Sequence, residues 1–300
     1  MRRALAIMGL LNADGNAPWA STVDLKKFGR ISSGTLSRNA FFAGLFILGC
    51  ASGLTSNVLD SLEQRGWVGA FLNTFNVSII VWISCYVGVW LILQSIDEDV
   101  TLLDKIVGGT FVLLTILPVG QMSWIAIAAL SIYFMRNSED ITSRQGAVIL
   151  LATTVPMVWS QLIFRFLANT ILNFDATLVS WILGAQKSGN IVDFADKSGR
   201  LVILPACSSL SHVSVAVLCW VTISRLVDHK RSLLDIFWCL SACASVVVVN
   251  VTRMGIMGLS KQNYDAVHSF SGEALANLMI FGLATCFCLL GVRRELLSRL

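Results

Sequence analysis

Charged residues are scarce in this chain. Aspartate, glutamate, lysine and arginine make up 13% of its 300 residues, while 55% are hydrophobic, whereas soluble domains carry about 25% charged residues. So few charges cannot cover a surface that faces water, so the composition excludes an ordinary soluble domain and indicates a membrane protein. The net charge of +4 is too small and too dispersed to favour a nucleic acid partner. Eight cysteines, mostly inside apolar runs, do not make a disulfide-rich scaffold.

Eight apolar runs approach the length of about 17–25 residues that a membrane-spanning helix needs. Each must be helical, because lipid offers the backbone no hydrogen-bond partner. The third and fourth runs are short and nearly contiguous, so they could instead form one kinked helix, which would place everything downstream on the other side. The runs are 40–58, 70–93, 106–119, 121–135, 146–164, 207–224, 234–258 and 272–292.

Lysine and arginine decide between these two topologies, because they favour the cytoplasmic side of short loops. With eight spans and a cytoplasmic amino terminus, 15 of the 22 basic residues lie inside; fusing the third and fourth runs leaves 13. The pattern therefore predicts both termini in the cytoplasm. It divides the chain into a basic cytoplasmic segment (1–39), an integral membrane domain (40–292) and a basic cytoplasmic tail (293–300).

The longest extramembrane piece is predicted on the outer face, over 165–206. Its first half has mixed helical periodicity and is typical of a helix that lies along the membrane surface. Its second half predicts a β-hairpin, with Ile191 and Val192 in one strand, a turn over 196–199, and 201–203 in the other. The predicted fold is thus an all-α polytopic membrane protein of about eight transmembrane helices, with a surface helix and a short hairpin outside.

Cys207 is the cysteine that stands apart. The other seven lie within predicted spans, where buried, inert thiols are the usual case. Cys207 stands at the outer start of the sixth span, where the positive end of the helix dipole favours the nucleophilic thiolate. Position alone leaves open whether this thiol reacts or simply packs.

Arg253 is a charge in an otherwise apolar helix, near the outer end of the seventh span. A charged guanidinium exposed to lipid costs free energy, so such a side chain usually faces a polar interior. The alternative is that it extends to the outer headgroups by snorkelling. Asn250 lies one turn earlier on the same face, which favours an inward polar site and makes this amide a candidate for substrate binding.

His268 precedes the eighth span by about one turn, and imidazole is the usual proton-transfer group near neutral pH. A lone loop histidine is more often solvated. His212, five residues after Cys207, points away from it along the helix, but not by so much that it is excluded as the proton-transfer group. The eight-span topology places Cys207, Arg253 and His268 at similar depth on the outer face. Together they supply a nucleophile, a base and a cation for a developing oxyanion.

Cys207 comes first, Asn250 and Arg253 follow, and His268 comes last, each at the outer edge of a late span. This order resembles that of the exosortase/archaeosortase family over about the last 150 residues. The family usually continues Cys-Ser-Gly where this chain has Ser209, and Pro205-Ala206 replace the acidic or small residue often found before the cysteine. The matching segments are Ala206-Cys207-Ser208, Asn250-Val251-Thr252-Arg253 and His268-Ser269-Phe270-Ser271-Gly272.

The resemblance implies a cysteine transpeptidase or peptidase embedded in the inner (plasma) membrane, with its site on the extracytoplasmic side. Its partners would be exported proteins with a carboxy-terminal sorting motif, a transmembrane segment and a basic cluster. Cleavage would follow a short Pro-Glu-Pro-like motif and pass the acyl group, through a thioester, to a membrane or envelope acceptor. Cys207 would attack, His268 would carry protons, and Arg253 would hold the oxyanion, with no metal or cofactor.

A polar stripe crosses the end of the fifth span, with Gln161, Arg165, Asn169 and Asn173 at intervals of four. It could line the groove that admits the substrate motif, or it could be a solvated face with a snorkelling arginine.

Two other classes of function compete with the enzyme. A small-solute transporter would have polar groups near the bilayer midplane and helix interruptions at corresponding positions of two halves. Pro118 and Pro156 do not form such a matched pair. A non-catalytic envelope or polysaccharide assembly factor would need no aligned cysteine, arginine and histidine.

Overall fold

The computed structural model describes residues 37–95, 98–117, 120–230 and 232–298. The basic segment predicted over 1–39 lies almost entirely outside this part. The helices are α1 (Arg38–Leu72), α2 (Ile79–Gln94), α3 (Leu102–Ile116), α4 (Gly120–Asn137), α5 (Ile141–Thr154), α6 (Ser160–Leu183), α7 (Ser209–Leu226), α8 (Leu234–Met257), α9 (Lys261–Val267), α10 (Phe270–Gly291) and α11 (Arg293–Ser298).

Helical segments that could cross a membrane dominate the fold. In the described ranges five are long and apolar enough to do so, and α2 is apolar but shorter. Large apolar side chains such as Trp67 and Phe166 point outward, 77% and 85% exposed, as expected of a surface that contacts lipid. The chain is therefore an all-α membrane protein with a small sheet. The count of eight spans stays a prediction. The five segments are Arg38–Leu72, Ile141–Leu183, Ser209–Leu226, Leu234–Met257 and Gly272–Gly291.

The second predicted run, 70–93, begins too early. α1 continues to Leu72 after a bend at Gly66, and a 3-10 turn follows over Thr74–Asn76. The three residues of this turn have φ values of 49°, 55° and 57°, which a right-handed helix cannot contain. The helix restarts at Ile79, where the Ser78 hydroxyl accepts from the Ile80 amide at 3.3 Å.

The third and fourth runs form two antiparallel helices rather than one kinked helix. The Tyr133 hydroxyl, near the end of α4, donates to Asp104 Oδ1, near the start of α3, at 2.9 Å. Contact between the start of one helix and the end of the next requires the chain to reverse direction. The separate-helix alternative is confirmed, although α3 has only 15 residues and its crossing of a membrane stays a prediction.

The predicted surface helix continues the fifth span. α5 leads through a π-helical turn, Val155–Trp159, into α6, which bends at Leu167 (φ −115°, ψ 15°). The run of 43 residues is about 65 Å long at 1.5 Å per residue, roughly twice the thickness of a hydrocarbon core. Part of it must therefore lie outside the core, but the predicted boundary at residue 164 does not interrupt the helix.

The predicted hairpin is confirmed and belongs to a three-stranded antiparallel sheet. β2 (Ile191–Asp193) pairs with β3 (Arg200–Val202), with Val192 opposite Leu201. A two-residue strand, β1 (Lys187–Ser188), adds to β2 and is too short to produce an alternating pattern in the sequence. The sheet covers parts of α6 and α8 and forms with them what we name the sheet cluster: Leu172, Ala176, Val179, Val192, Phe194, Leu201, Ile203, Val251, Met254 and Met257.

Candidate active site

The turn that bears Cys207 connects β3 to α7. Residues Pro205–Cys207 form one 3-10 turn, and Ser208 caps α7 by accepting from the Leu210 amide at 3.2 Å. The helix starts at Ser209, not at residue 207 as predicted, because Ser208 is extended (φ −69°, ψ 137°). Cys207 is a free, half-buried thiol that packs against the sheet cluster.

Asn250 holds this turn from α8. Its amide nitrogen donates to the Cys207 carbonyl at 2.8 Å and to Ser209 Oγ at 3.1 Å, and the residue is fully buried. An amide group has two hydrogens to donate, so both are committed to the turn. In this structure Asn250 thus fixes the chain at the candidate nucleophile, and it offers no further donor for the predicted substrate contact.

Asp175 holds the same turn from α6 and was not among the predicted site residues. Its Oδ2 accepts from the Ser209 amide at 3.0 Å, and the residue is fully buried. The first two amides of α7 are therefore occupied, by Asp175 and by Ser208. This weakens the expectation that the helix terminus activates Cys207. The sequence signal was present, because Asp175 is the one acidic residue in the apolar stretch 160–183.

Arg253 of α8 and His212 of α7 lie next to the same buried apolar cluster. Arg253 follows Val249 by one turn and His212 precedes Ala216 by one turn, and both apolar residues belong to that cluster. Arg253 is half-buried and its Nε has no hydrogen-bond partner in the described part of the chain. The guanidinium thus faces the protein interior, as the inward alternative predicted, and His212 accompanies it.

His268 follows the last turn of α9. Its amide donates to the Tyr264 carbonyl at 2.9 Å, and its ring stacks on the Tyr264 ring with centroids 4.5 Å apart. Tyr264 and Val267 pack against the sheet cluster, as Cys207 does. The imidazole is therefore held by an aromatic neighbour and is not a solvated loop side chain.

The chain segments that carry the three predicted catalytic residues all reach the sheet cluster. Cys207, the residues flanking Arg253 and the residues preceding His268 all contact the sheet cluster. No hydrogen bond within the described ranges joins the three side chains directly, and in substrate-free enzymes such bonds are often long. Buried polar atoms usually have partners, yet five in this region have none among the described residues: Asp175 Oδ1, His212 Nε2, Asn250 Oδ1, Arg253 Nε and His268 Nδ1.

The predicted polar stripe is exposed along its whole length but is not straight. The bend at Leu167 falls between its second and third members. Gln161 accepts from Gln121 of α4 at 3.4 Å, and Asn173 accepts from Lys187 of β1 at 2.6 Å. Arg165 and Asn169 are exposed. The stripe as a substrate groove stays a prediction.

Comparison with family models, with curated proteins and with solved structures finds no match to this chain. In the described part, no group of three or more histidine, cysteine, aspartate or glutamate side chains is placed to hold a metal ion. The chemistry available at this end of the fold is that of a thiol, two imidazoles, a guanidinium and a buried carboxylate. These groups can support nucleophilic attack, proton transfer and stabilisation of an anion.

Proposed function

We propose that the protein is a membrane cysteine transpeptidase or peptidase that cleaves carboxy-terminal sorting signals of exported proteins at the outer face of the plasma membrane. The observation that carries the proposal is that Cys207, the residues flanking Arg253 and the residues preceding His268 all lie at the sheet cluster, in a region where five buried polar atoms have no partner among the described residues. The motif order resembling exosortases supports the choice of substrate class. A substrate whose tail is already in the bilayer would reach this site by lateral diffusion.

The reaction proceeds in two steps. Cys207 Sγ attacks the carbonyl carbon of the scissile bond while His268 accepts the thiol proton, and Arg253 donates to the oxyanion. Collapse of the tetrahedral intermediate breaks the carbon–nitrogen bond, and His268 returns the proton to the amine of the departing tail. An acceptor amine, hydroxyl or water then attacks the thioester, gives up its proton through His268, and restores the Cys207 thiol.

The proposed sidedness has its own test. With eight spans and cytoplasmic termini, the connection between α4 and α5 is cytoplasmic. A reporter fused after Ser138 should therefore report the cytoplasm, and one fused after Ser188, in β1, should report the outside. If the reporter at Ser138 is exported, the topology is wrong.

The enzyme proposal is tested by replacing the thiol. Cys207→Ala should abolish the mobility shift of a co-expressed substrate that ends in a Pro-Glu-Pro-like motif, one transmembrane segment and a basic cluster. Cys286→Ala, which removes an exposed thiol of α10, should leave processing unchanged. In the wild type, hydroxylamine should release the substrate from a covalent adduct with the enzyme. Undiminished processing by Cys207→Ala would contradict the proposal and favour a non-catalytic role in envelope assembly.

A further inference from the structure

The junction between the 3-10 turn and α7, residues 207–209, is held by two helices at once. α6 reaches it through Asp175, whose Oδ2 accepts from the Ser209 amide at 3.0 Å. α8 reaches it through Asn250, which donates to the Cys207 carbonyl at 2.8 Å and to Ser209 Oγ at 3.1 Å. The two partners are distant in sequence, so the position of the turn depends on how α6 and α8 pack.

The acceptor of the Ser209 amide is a carboxylate, a group whose burial costs free energy. A carboxylate that is fully buried is expensive unless charged or polar neighbours compensate it. Asp175 has compensation on one side, from the first amide of α7, where a negative charge is favourable. Its other oxygen, Oδ1, has no partner among residues 37–95, 98–117, 120–230 and 232–298. A neutral residue that capped α7 would avoid this cost.

We propose that Asp175 is a positioning residue of this active site. It anchors the first residue of α7 so that Cys207, two residues earlier, keeps its thiol aimed at the substrate carbonyl. Asn250 secures the other side of the same turn. This inference rests on the proposed function for its reaction, but the anchoring of the turn can be measured without any substrate.

Asparagine and alanine at position 175 separate the bond from the charge. Asp175→Asn keeps an oxygen that accepts from the Ser209 amide, so processing should stay within about threefold of the wild type. Asp175→Ala removes the acceptor and lets the thiol shift, so kcat should fall by about 10- to 100-fold while KM stays constant. Asp265→Ala, which removes an exposed carboxylate of α9, should change neither constant.

The Ser209 amide, which donates this hydrogen bond, can be removed independently of Asp175. Ser209 is the first residue of α7, a position that accepts proline because its amide needs no partner within the helix. The extended Ser208 before it is compatible with a following proline. Ser209→Pro should lower kcat as Asp175→Ala does, relative to Ser209→Ala, which keeps the amide. The double variant Asp175→Ala/Ser209→Pro should be no slower than Ser209→Pro alone, because both changes remove the bond between Asp175 and the Ser209 amide.

Alkylation of Cys207 tests the anchoring directly. In the detergent-purified protein a bulky maleimide should label the half-buried Cys207 at least about three times faster in Asp175→Ala, because the turn no longer holds the thiol in place. Labelling in Asp175→Asn should match the wild type. Cys219, which is buried in α7, should react equally slowly in all three proteins. This control separates local loosening from general unfolding.

Substrate processing and labelling of Cys207 distinguish failure of this inference from failure of the proposed function. If Asp175→Ala and Ser209→Pro process substrate at the wild-type rate, or if neither accelerates labelling of Cys207, the inference is overturned while the proposed enzyme stands. If Cys207→Ala processes substrate normally but Asp175→Ala still accelerates labelling, the proposed function is wrong and Asp175 anchors a turn with another role. A lower kcat together with faster labelling in Asp175→Ala would support the inference if Asp175→Asn kept the wild-type kcat and labelling rate.

Discussion

Replacing Arg38 with alanine should strongly destabilise the protein, because this guanidinium joins four separate parts of the chain. Its Nε and Nη2 bind the two carboxylate oxygens of Asp104 at 3.0 and 3.3 Å. Its Nη1 binds Glu98 Oε2 at 2.5 Å and the Asn137 carbonyl at 3.0 Å. Asp104 also accepts from Tyr133. The start of α1, the start of α3 and the end of α4 therefore meet at one ion pair.

The expected magnitude follows from burial. Arg38 is 4% exposed and Asp104 is 0% exposed, so the alanine variant leaves a buried carboxylate without its cation. Breaking one side of a buried pair costs about 3–5 kcal/mol. In a protein of this size about 1 kcal/mol moves the unfolding midpoint by about 2–4 °C. The midpoint of Arg38→Ala should thus fall by roughly 6–20 °C.

Thermal unfolding in detergent, followed with a fluorescent dye that reacts with newly exposed thiols, measures this change. Asp104→Ala should cost a similar amount. The double variant Arg38→Met/Asp104→Leu should lose less than either single variant, because it leaves no buried charge unpaired; Glu98, the other partner of Arg38, is partly exposed to solvent. A fall of under about 2 °C in Arg38→Ala would refute the reasoning, since a pair that contributes so little behaves as a solvent-exposed one.

Two further predictions concern other parts of the scaffold. Burial lowers the pKa of His229, but the carboxylates of Asp235 and Glu295 outweigh it and raise the pKa above 6.5 on balance. The stabilisation is therefore present at low pH and lost as pH rises through the raised pKa, so the unfolding midpoint should fall above about pH 6.5, and His229→Gln should flatten this dependence. At Gly146 a Cβ would lie 2.6 Å from a backbone oxygen of α2, so Gly146→Ala should cost about 1–3 kcal/mol in thermal unfolding. Gly109→Ala, which meets no atom within 4 Å, should cost nothing.

The parts of the fold that the sequence predicts are those with a local signal. Apolar runs identify the helices, because lipid exposure requires continuous hydrophobicity. Alternation around Ile191 and Leu201 identifies the two longer strands of the sheet. The second span was misplaced because the apolar residues on both sides of the turn at Phe75 were joined into one run across Asn73, Thr74 and Asn76, and average hydrophobicity does not register a reversal of backbone φ.

The candidate site was predicted in its residue types and only partly in its contacts. Cys207, Arg253 and His268 stand out because polar groups in apolar segments are costly. Asn250 was predicted to contact substrate, whereas the structure gives both of its amide hydrogens to the turn around Cys207. Asp175 is conspicuous as an acidic residue in an apolar stretch, but its partner could not be predicted, because Ser209 lies 34 residues away and no helical or strand periodicity relates the two positions.

Stability and reactivity depend on different parts of this fold, and this makes the predictions separable. The Arg38 ion pair lies among α1, α3 and α4, whose buried side chains belong to a different apolar cluster from the one that Cys207 contacts. The sheet cluster draws on α6, α8 and the sheet alone. A variant such as Tyr133→Phe, which removes one of several donors to Asp104, should therefore lower the unfolding midpoint without changing the labelling rate of Cys207. Asp175→Ala should do the reverse, because its bond fixes the start of α7, whereas α7 contributes to the larger cluster further along, at Leu218, Cys219 and Trp220.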